Sequence, residues 1–80
     1  MLKIFIPHLK RQLTQKIKGK VEIKVIRDTV FIKITTSEKL EWIISIDNIS
    51  TELQHGYTSS QCSYDVVKRY KEFIISRYIR

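Results

Sequence analysis

Two stretches in which every second residue is β-branched and apolar constrain the fold of this chain more than any other feature. The residues are Val21, Ile23 and Val25 in the first stretch and Val30, Ile32 and Ile34 in the second. A period of two is typical of half-buried β-strands. If Arg27-Asp28 forms a two-residue turn, the apolar residues face one another in pairs, and Glu22 lies opposite Lys33. The apolar pairs are Val25 with Val30, Ile23 with Ile32, and Val21 with Ile34. We therefore predict an antiparallel hairpin in this register, with a longer loop as the alternative because the turn lacks glycine.

A third strand is predicted after a polar break at residues 35–39. The residues on one face of the segment 40–46 are Leu40, Trp42, Ile44 and Ile46. This alternation predicts a strand that extends the hairpin into a three-stranded meander. Because Trp42 shares its face with three aliphatic residues, we expect its side chain in the core.

The residues before the hairpin have the spacing of a helix. The apolar residues that recur at intervals of four are Leu9, Leu13 and Ile17. Pro7 precedes them and Gly19 follows them, which matches the preference for proline in the first helical position and for glycine just after a helix. We predict a helix over residues 7–18. The apolar residues 1–6 then either pack beneath this helix or pair as a short edge strand.

A short helix is predicted directly after the meander. Asp47 can cap its N-terminus, since aspartate is among the preferred capping residues. Ile49 and Leu53 lie on its apolar side, and Gly56 ends it.

The last helix is predicted to begin near Ser59 and to run to the C-terminus. Thr58 and Gln61 are three residues apart, which is the spacing of a capping box, and Ser63 is the alternative cap. On a helical wheel one continuous arc forms the core face, comprising Cys62, Val66, Val67, Tyr70, Phe73 and Ile74.

The order of elements predicts an α+β fold of the type α-β-β-β-α-α. In this fold a three-stranded antiparallel meander packs against an N-terminal helix and a long C-terminal helix. Eighty residues suffice for one core, so we expect a single domain over residues 1–80. We also expect a cytoplasmic protein without a membrane span or signal peptide, because no apolar run is long enough and Cys62 is the only cysteine.

Residues that carry catalysis or bind metals are sparse. His8, His55 and Cys62 lack paired ligand spacing, so we expect no metal site. Cys62 with His55 as a base would also need an oxyanion hole, and we expect a buried or idle thiol instead. No glycine-rich phosphate loop is present, and so small a core can scarcely enclose a substrate cavity. We expect a non-enzymatic protein without cofactor or small-molecule substrate.

The formal net charge of +7 is concentrated in the predicted helices. The first twenty residues contain six basic residues and no acid, namely Lys3, Lys10, Arg11, Lys16, Lys18 and Lys20. Basic helices can bind phosphate backbones without reading sequence. Solvated helix faces are the alternative interpretation. If nucleic acid binds, we predict that the contacting residues are Lys10, Arg11, Lys18, Lys68 and Lys71.

The last helix has a second apolar side away from its core arc. Its residues are Tyr64, Ile75, Tyr78 and Ile79. We favour a helix wedged between the sheet and the first helix, which would bury both sides. The alternative is a docking surface for a protein partner or a second copy, because aromatic and basic residues are enriched at interfaces. The same choice applies to Ile26, Phe31 and Ile43 on the outer face of the sheet.

The order of a helix, three strands and a helix resembles that of double-stranded RNA-binding domains. In that family the last helix begins with a basic, alanine-rich motif that binds phosphates. The last helix of this chain begins without basic residues or alanine, as Ser59-Ser60-Gln61-Cys62-Ser63-Tyr64-Asp65. The resemblance is one of topology and transfers no RNA-contacting residue.

The chain is rich in isoleucine and lysine, and two of its segments are Phe5-Ile6-Pro7-His8-Leu9-Lys10 and Asp65-Val66-Val67-Lys68-Arg69-Tyr70. In these features it resembles small uncharacterised proteins from phage and prophage early regions of low-GC Gram-positive bacteria. The resemblance implies an accessory protein that acts by binding in a host cytoplasm. We therefore predict a non-enzymatic phage-type accessory protein that binds nucleic acid through its basic helices. The alternative is a protein-binding module, either a homodimer or an inhibitor of an acidic protein, that uses the last helix.

Overall fold

Three helices and three strands follow one another in the predicted order in a computed structural model that describes residues 2–78. They are α1 (Leu2–Lys16), β1 (Lys20–Ile26), β2 (Thr29–Thr35), β3 (Glu41–Ile46), α2 (Ile49–Gln54) and α3 (Ser59–Tyr78). The strands form one antiparallel sheet in the order β1-β2-β3. This is the α-β-β-β-α-α arrangement that the hydrophobic periodicity predicts.

The hairpin of β1 and β2 has the predicted register. Val25 lies opposite Val30, Ile23 opposite Ile32, Val21 opposite Ile34, and Glu22 opposite Lys33. A two-residue turn joins the strands, and Arg27 adopts a φ of 57° in the left-handed region. The matched apolar pairs therefore fix the register although the turn lacks glycine.

The core lies between the inner face of the sheet and the helices α1 and α3. Its most deeply buried side chains are Leu9 and Leu13 of α1, Val30, Ile32 and Ile34 of β2, Ile49 of α2, and Cys62 and Val66 of α3. The predicted arc of α3 is confirmed, since all its residues are buried or packed against the core. Trp42 is half-buried, and its ring packs 5.7 Å from Tyr70 and 6.3 Å from Phe73, between centroids.

The first helix begins earlier than predicted. It spans Leu2–Lys16 and contains Pro7, so neither alternative was right for residues 2–6. Met1 lies outside the described residues. Proline has no backbone N–H and therefore cannot donate to the carbonyl of Lys3, four residues earlier.

The burial of Phe5 explains why the helix forms in spite of this loss. Phe5 lies one turn before Leu9, and both side chains are in the core. Its ring packs against that of Tyr57, with the centroids 6.3 Å apart. Tertiary packing therefore outweighs the local cost of the proline.

The N-terminus of α2 is capped by Asp28 and not by Asp47. The Asp28 carboxylate accepts a hydrogen bond from the backbone N–H of Ser50, at 3.1 Å. Asn48, the residue before the helix, has a φ of 54° and makes no capping bond through its side chain. Asp47 instead accepts a hydrogen bond from the Thr29 hydroxyl, at 3.1 Å. The prediction of the helix itself was right, and its cap was assigned to the wrong aspartate.

The last helix begins with the predicted capping box. Gln61 donates its backbone N–H to the Thr58 hydroxyl at 3.2 Å, and the Gln61 side-chain oxygen accepts from the Thr58 N–H at 3.3 Å. Ser63, the alternative cap, is fully buried inside the helix. Among the described residues, no helix has both the length and the apolar composition to cross a bilayer.

Candidate functional site

An open cleft lies where the C-terminal end of α1 meets the middle of α3 and the loop between β2 and β3. It has a volume of about 240 Å³, and Lys16, Lys18 and Lys71 contribute to its walls. The apolar side chains that line it are Ile17, Leu40, Val67, Tyr70 and Ile74. An adjoining depression shares Lys16, Val67 and Lys71 and adds Tyr64 and Lys68. We call this joint surface, defined by Lys16, Lys18, Tyr64, Lys68 and Lys71, the basic cleft.

Two hydrogen bonds place the end of α1 beside α3. Gln12 donates its side-chain N–H to the Ser60 hydroxyl at 3.2 Å. Lys16 donates its ammonium to the Ser63 hydroxyl at 3.4 Å. Ser63 is buried and Lys16 is exposed, so this bond joins the exposed end of α1 to the buried side of α3.

Gly19 positions Lys18 at the cleft. It has a φ of 144°, and a Cβ atom there would lie 2.5 Å from the backbone oxygen of Thr35. Only glycine allows so close an approach. The close passage brings Lys18 next to the loop between β2 and β3, where Glu38 is the acidic residue among those lining the cleft.

One face of α3 carries both sets of residues that the sequence singled out on this helix. Tyr64, Lys68, Lys71 and Ile75 follow one another at intervals of four, three and four, so they lie in one stripe. Tyr64 is 65% exposed and Ile75 is 53% exposed. For these two residues, the interpretation that α3 buries both apolar sides was wrong. Ile79 and the side chain of Tyr78 lie outside the described residues.

Lys10 and Arg11 do not line the cleft. They follow the fully buried Leu9 directly, so they point about 100° and about 200° away from its direction. Of the five predicted phosphate contacts, the structure thus brings Lys18, Lys68 and Lys71 together and leaves Lys10 and Arg11 on the outer side of α1.

Lys16 is the cleft residue that the list of predicted contacts lacked. It is seven residues after Leu9, which returns it to within about 20° of the core direction of α1. A basic residue at such a position in the last turn must lie near whatever packs beside the helix. That spacing is a signal that could have identified it.

The sheet holds ion pairs on its outer face, away from the cleft. Lys33 lies 2.7 Å from Glu41, and Lys20 lies 3.7 Å from Glu22. The Glu41 carboxylate, through its hydrogen bond and charge, raises the pKa of Lys33. Glu22 and Glu41 are therefore paired with lysines on the sheet, whereas the exposed lysines of the cleft lie on α1, on α3 and in the turn after α1.

The thiol of Cys62 is free and buried. Burial raises its pKa, although a hydrogen bond with the Tyr57 hydroxyl acts in the opposite direction. His55 is exposed at the end of α2. The predicted buried thiol is confirmed. Within residues 2–78, no cluster of three or more His, Cys, Asp or Glu side chains could hold a metal ion.

Comparison of the chain with models of protein families finds no match, and comparisons with curated proteins and with solved structures find none either. The resemblance to phage proteins therefore stays a prediction. The case for a function rests on the geometry of the basic cleft.

Proposed function

We propose that this protein binds nucleic acid, with a phosphate backbone lying along the basic cleft, and that it acts as a non-enzymatic accessory protein. One observation carries the proposal: lysines from separate parts of the chain converge on one surface. Lys16 comes from the end of α1, Lys18 from the turn after it, and Lys68 and Lys71 from the middle of α3. A surface of this kind gains affinity by releasing counterions from the phosphates it neutralises.

The spacing of the α3 lysines suits a continuous backbone. Lys68 and Lys71 are three residues apart, so their Cβ atoms are separated by about 5–6 Å and point the same way. Both ammonium groups can then bind along one strand, with Lys16 opposite them across the cleft. Contacts of this kind position a ligand but carry no sequence information. We therefore propose binding without strong sequence preference.

Tyr64 supports the same proposal. Its ring is exposed beside Lys68 at the edge of the cleft. An exposed aromatic ring next to lysines offers a base a stacking surface, and stacking tolerates every base.

The experiment is a fluorescence-anisotropy titration with single-stranded and duplex oligonucleotides at several salt concentrations. The variant Lys68→Glu/Lys71→Glu should lose retention of the oligonucleotides. Each lost phosphate contact should flatten the slope of log affinity against log salt by about one unit. A thermal melt checks that the fold is intact, which we expect because both side chains are exposed.

The matched control is Lys10→Glu/Arg11→Glu. It changes the net charge by the same amount, but on the outer side of α1, so it should bind much better than the α3 variant. Equal losses in the two variants would show that overall charge, and not the cleft, drives binding. A wild-type protein that binds none of the oligonucleotides at low salt would refute the proposal.

A second candidate function is that of a protein-binding module. The observation in its favour is that Tyr64 and Ile75 are both exposed on the stripe of α3. An interface centred on such side chains depends on apolar contact and should lose little affinity as salt rises. In that case Tyr64→Ala would weaken capture of a partner more than Lys68→Ala.

A further inference from the structure

The strand β1 forms one edge of the sheet. Within the described part of the chain it pairs with β2 on one side. The backbone groups on its other side are available for pairing with a further strand. Two apolar side chains near the hairpin turn are exposed on this strand, Val25 at 39% and Ile26 at 55%. Val25 is exposed although it shares the inner face with the buried Val21.

The charges and the length of β1 together favour one way of pairing it with a second copy. In a dimer with a two-fold axis, the β1 strands of the two copies pair antiparallel, and the inner faces of the two sheets lie on the same side. Centring the pair on Glu22 places Glu22 opposite Glu22 and Lys20 opposite Lys24. Centring it on Lys24 places Lys24 opposite itself. Both registers bring like charges together, which is unfavourable.

Centring the pair on Ile23 gives the opposite result. Glu22 then lies opposite Lys24 of the second copy, and by symmetry the same pair forms twice. Ile23 is the middle residue of β1 (Lys20–Ile26), so all seven residues of the strand are paired in this register. A pair centred on Val21 would also place Lys20 opposite Glu22, but it would use only the first three residues of β1. The Ile23 register is therefore the one that both matches the charges and pairs the whole strand.

Both faces of the sheet gain contacts in this register. On the inner face, Val25 lies opposite Val21 of the second copy, which covers its exposed side chain. On the outer face, Glu41 contacts Lys33 at 2.7 Å, and Lys33 lies opposite Glu22. Lys24 of the second copy lies next to Glu22 on the same face. Acidic and basic side chains thus alternate from β3 through β2 and β1 to the β1 strand of the second copy.

We propose that the protein forms a symmetric dimer through β1, which joins two sheets into one six-stranded antiparallel sheet centred on Ile23. Such an interface is self-complementary, as a two-fold axis requires. The proposal is independent of nucleic-acid binding, because its residues lie on β1 and not on the basic cleft.

Sedimentation equilibrium over micromolar to millimolar protein concentrations tests the proposal. The wild type should dimerise. Glu22→Lys and Lys24→Glu each bring like charges together twice, so each should raise the dissociation constant by about tenfold or more. The double variant Glu22→Lys/Lys24→Glu restores opposite charges and should restore the dimer. Within each copy, the double variant still places a lysine opposite Lys33. A dimer that re-forms in the double variant would therefore depend on the charge pair between the two copies.

Two controls separate this contact from other effects. Lys10→Glu makes the same charge change as Lys24→Glu but lies on α1, and it should leave the dimer intact. Circular dichroism and a thermal melt at dilute concentration establish that each variant is folded. A wild type that stays monomeric, or a dimer that both single variants leave unchanged, would overturn the proposal. Failure of the double variant to recover would overturn the register.

Discussion

The carboxylate of Asp28 accepts hydrogen bonds from both the backbone N–H and the hydroxyl of Ser50. Asp28 lies in the turn between β1 and β2, and Ser50 lies in the first turn of α2. The backbone carbonyl of Asp28 also accepts the N–H of Ile49, at 3.0 Å. A hairpin turn thus serves as the N-terminal cap of a helix that begins more than twenty residues later.

Replacing this cap should destabilise the protein. Asp28→Ala leaves the backbone N–H and the hydroxyl of Ser50 without their partner, whereas the backbone carbonyl that accepts the Ile49 N–H remains. We expect it to lower the free energy of unfolding by about 1 kcal/mol. Asp47→Ala is the matched control, because Asp47 makes only an exposed contact with Thr29 and should cost about 0.5 kcal/mol or less. Urea unfolding followed by circular dichroism measures both. A larger loss for Asp47→Ala would show that the local aspartate is the cap.

Features determined by neighbours in the chain were predictable from the sequence. The hairpin register follows from alternating side chains, because slipping by one residue would move Ile23 and Ile32 to the wrong face. The start of α3 follows from Thr58 and Gln61, since both partners of the capping box lie within one turn.

Features that depend on distant residues were not predictable in this way. The cap of α2 comes from Asp28, and the extension of α1 before Pro7 depends on the packing of Phe5 against Tyr57. No local pattern contains either contact.

The candidate site also combines residues that the sequence could place with residues whose positions depend on tertiary packing. Lys68 and Lys71 could be placed on one side of α3 from their spacing alone. That Lys18 joins them and Lys10 does not depends on how α1 packs against the sheet and α3.

Pro7 provides a second prediction. Pro7→Ala supplies an N–H that can donate to the carbonyl of Lys3 within α1. A proline inside a helix costs about 3 kcal/mol. It also restricts the unfolded chain, which offsets part of this cost. We therefore expect the free energy of unfolding to rise by about 1–2 kcal/mol in Pro7→Ala. His8→Ala, at the next exposed position, should change it by less than about 0.5 kcal/mol. Chemical denaturation of the three proteins measures the difference, and a destabilised Pro7→Ala variant would contradict the account of α1.

Trp42 and Ile43 provide a third prediction because they are neighbours on opposite faces of β3. Trp42 packs against Tyr70 and Phe73 of α3, whereas Ile43 is exposed on the outer face of the sheet. We expect Trp42→Ala to lower the free energy of unfolding by about 3 kcal/mol, and Ile43→Ala by less than about 0.5 kcal/mol. A loss of about 3 kcal/mol for Ile43→Ala as well would contradict the exposed position of Ile43.

The last prediction concerns alkaline pH, the half-buried Tyr57 and the buried Cys62. Burial raises the pKa of Cys62 above its ordinary value of 9.0 and the pKa of Tyr57 above 10.0. Between the unfolded and folded pKa values the native state holds more protons, so the free energy of unfolding must fall as the pH rises. We expect a melting temperature that is steady near pH 8 and declines above about pH 9. The pKa values of Lys33 and Tyr70 are raised as well, so they contribute to the same decline. Tyr57→Phe removes one of these groups and should show a smaller decline than the wild type, each compared with its own value near pH 8. A variant that declines as steeply as the wild type would show that the Tyr57 hydroxyl does not contribute to the alkaline loss.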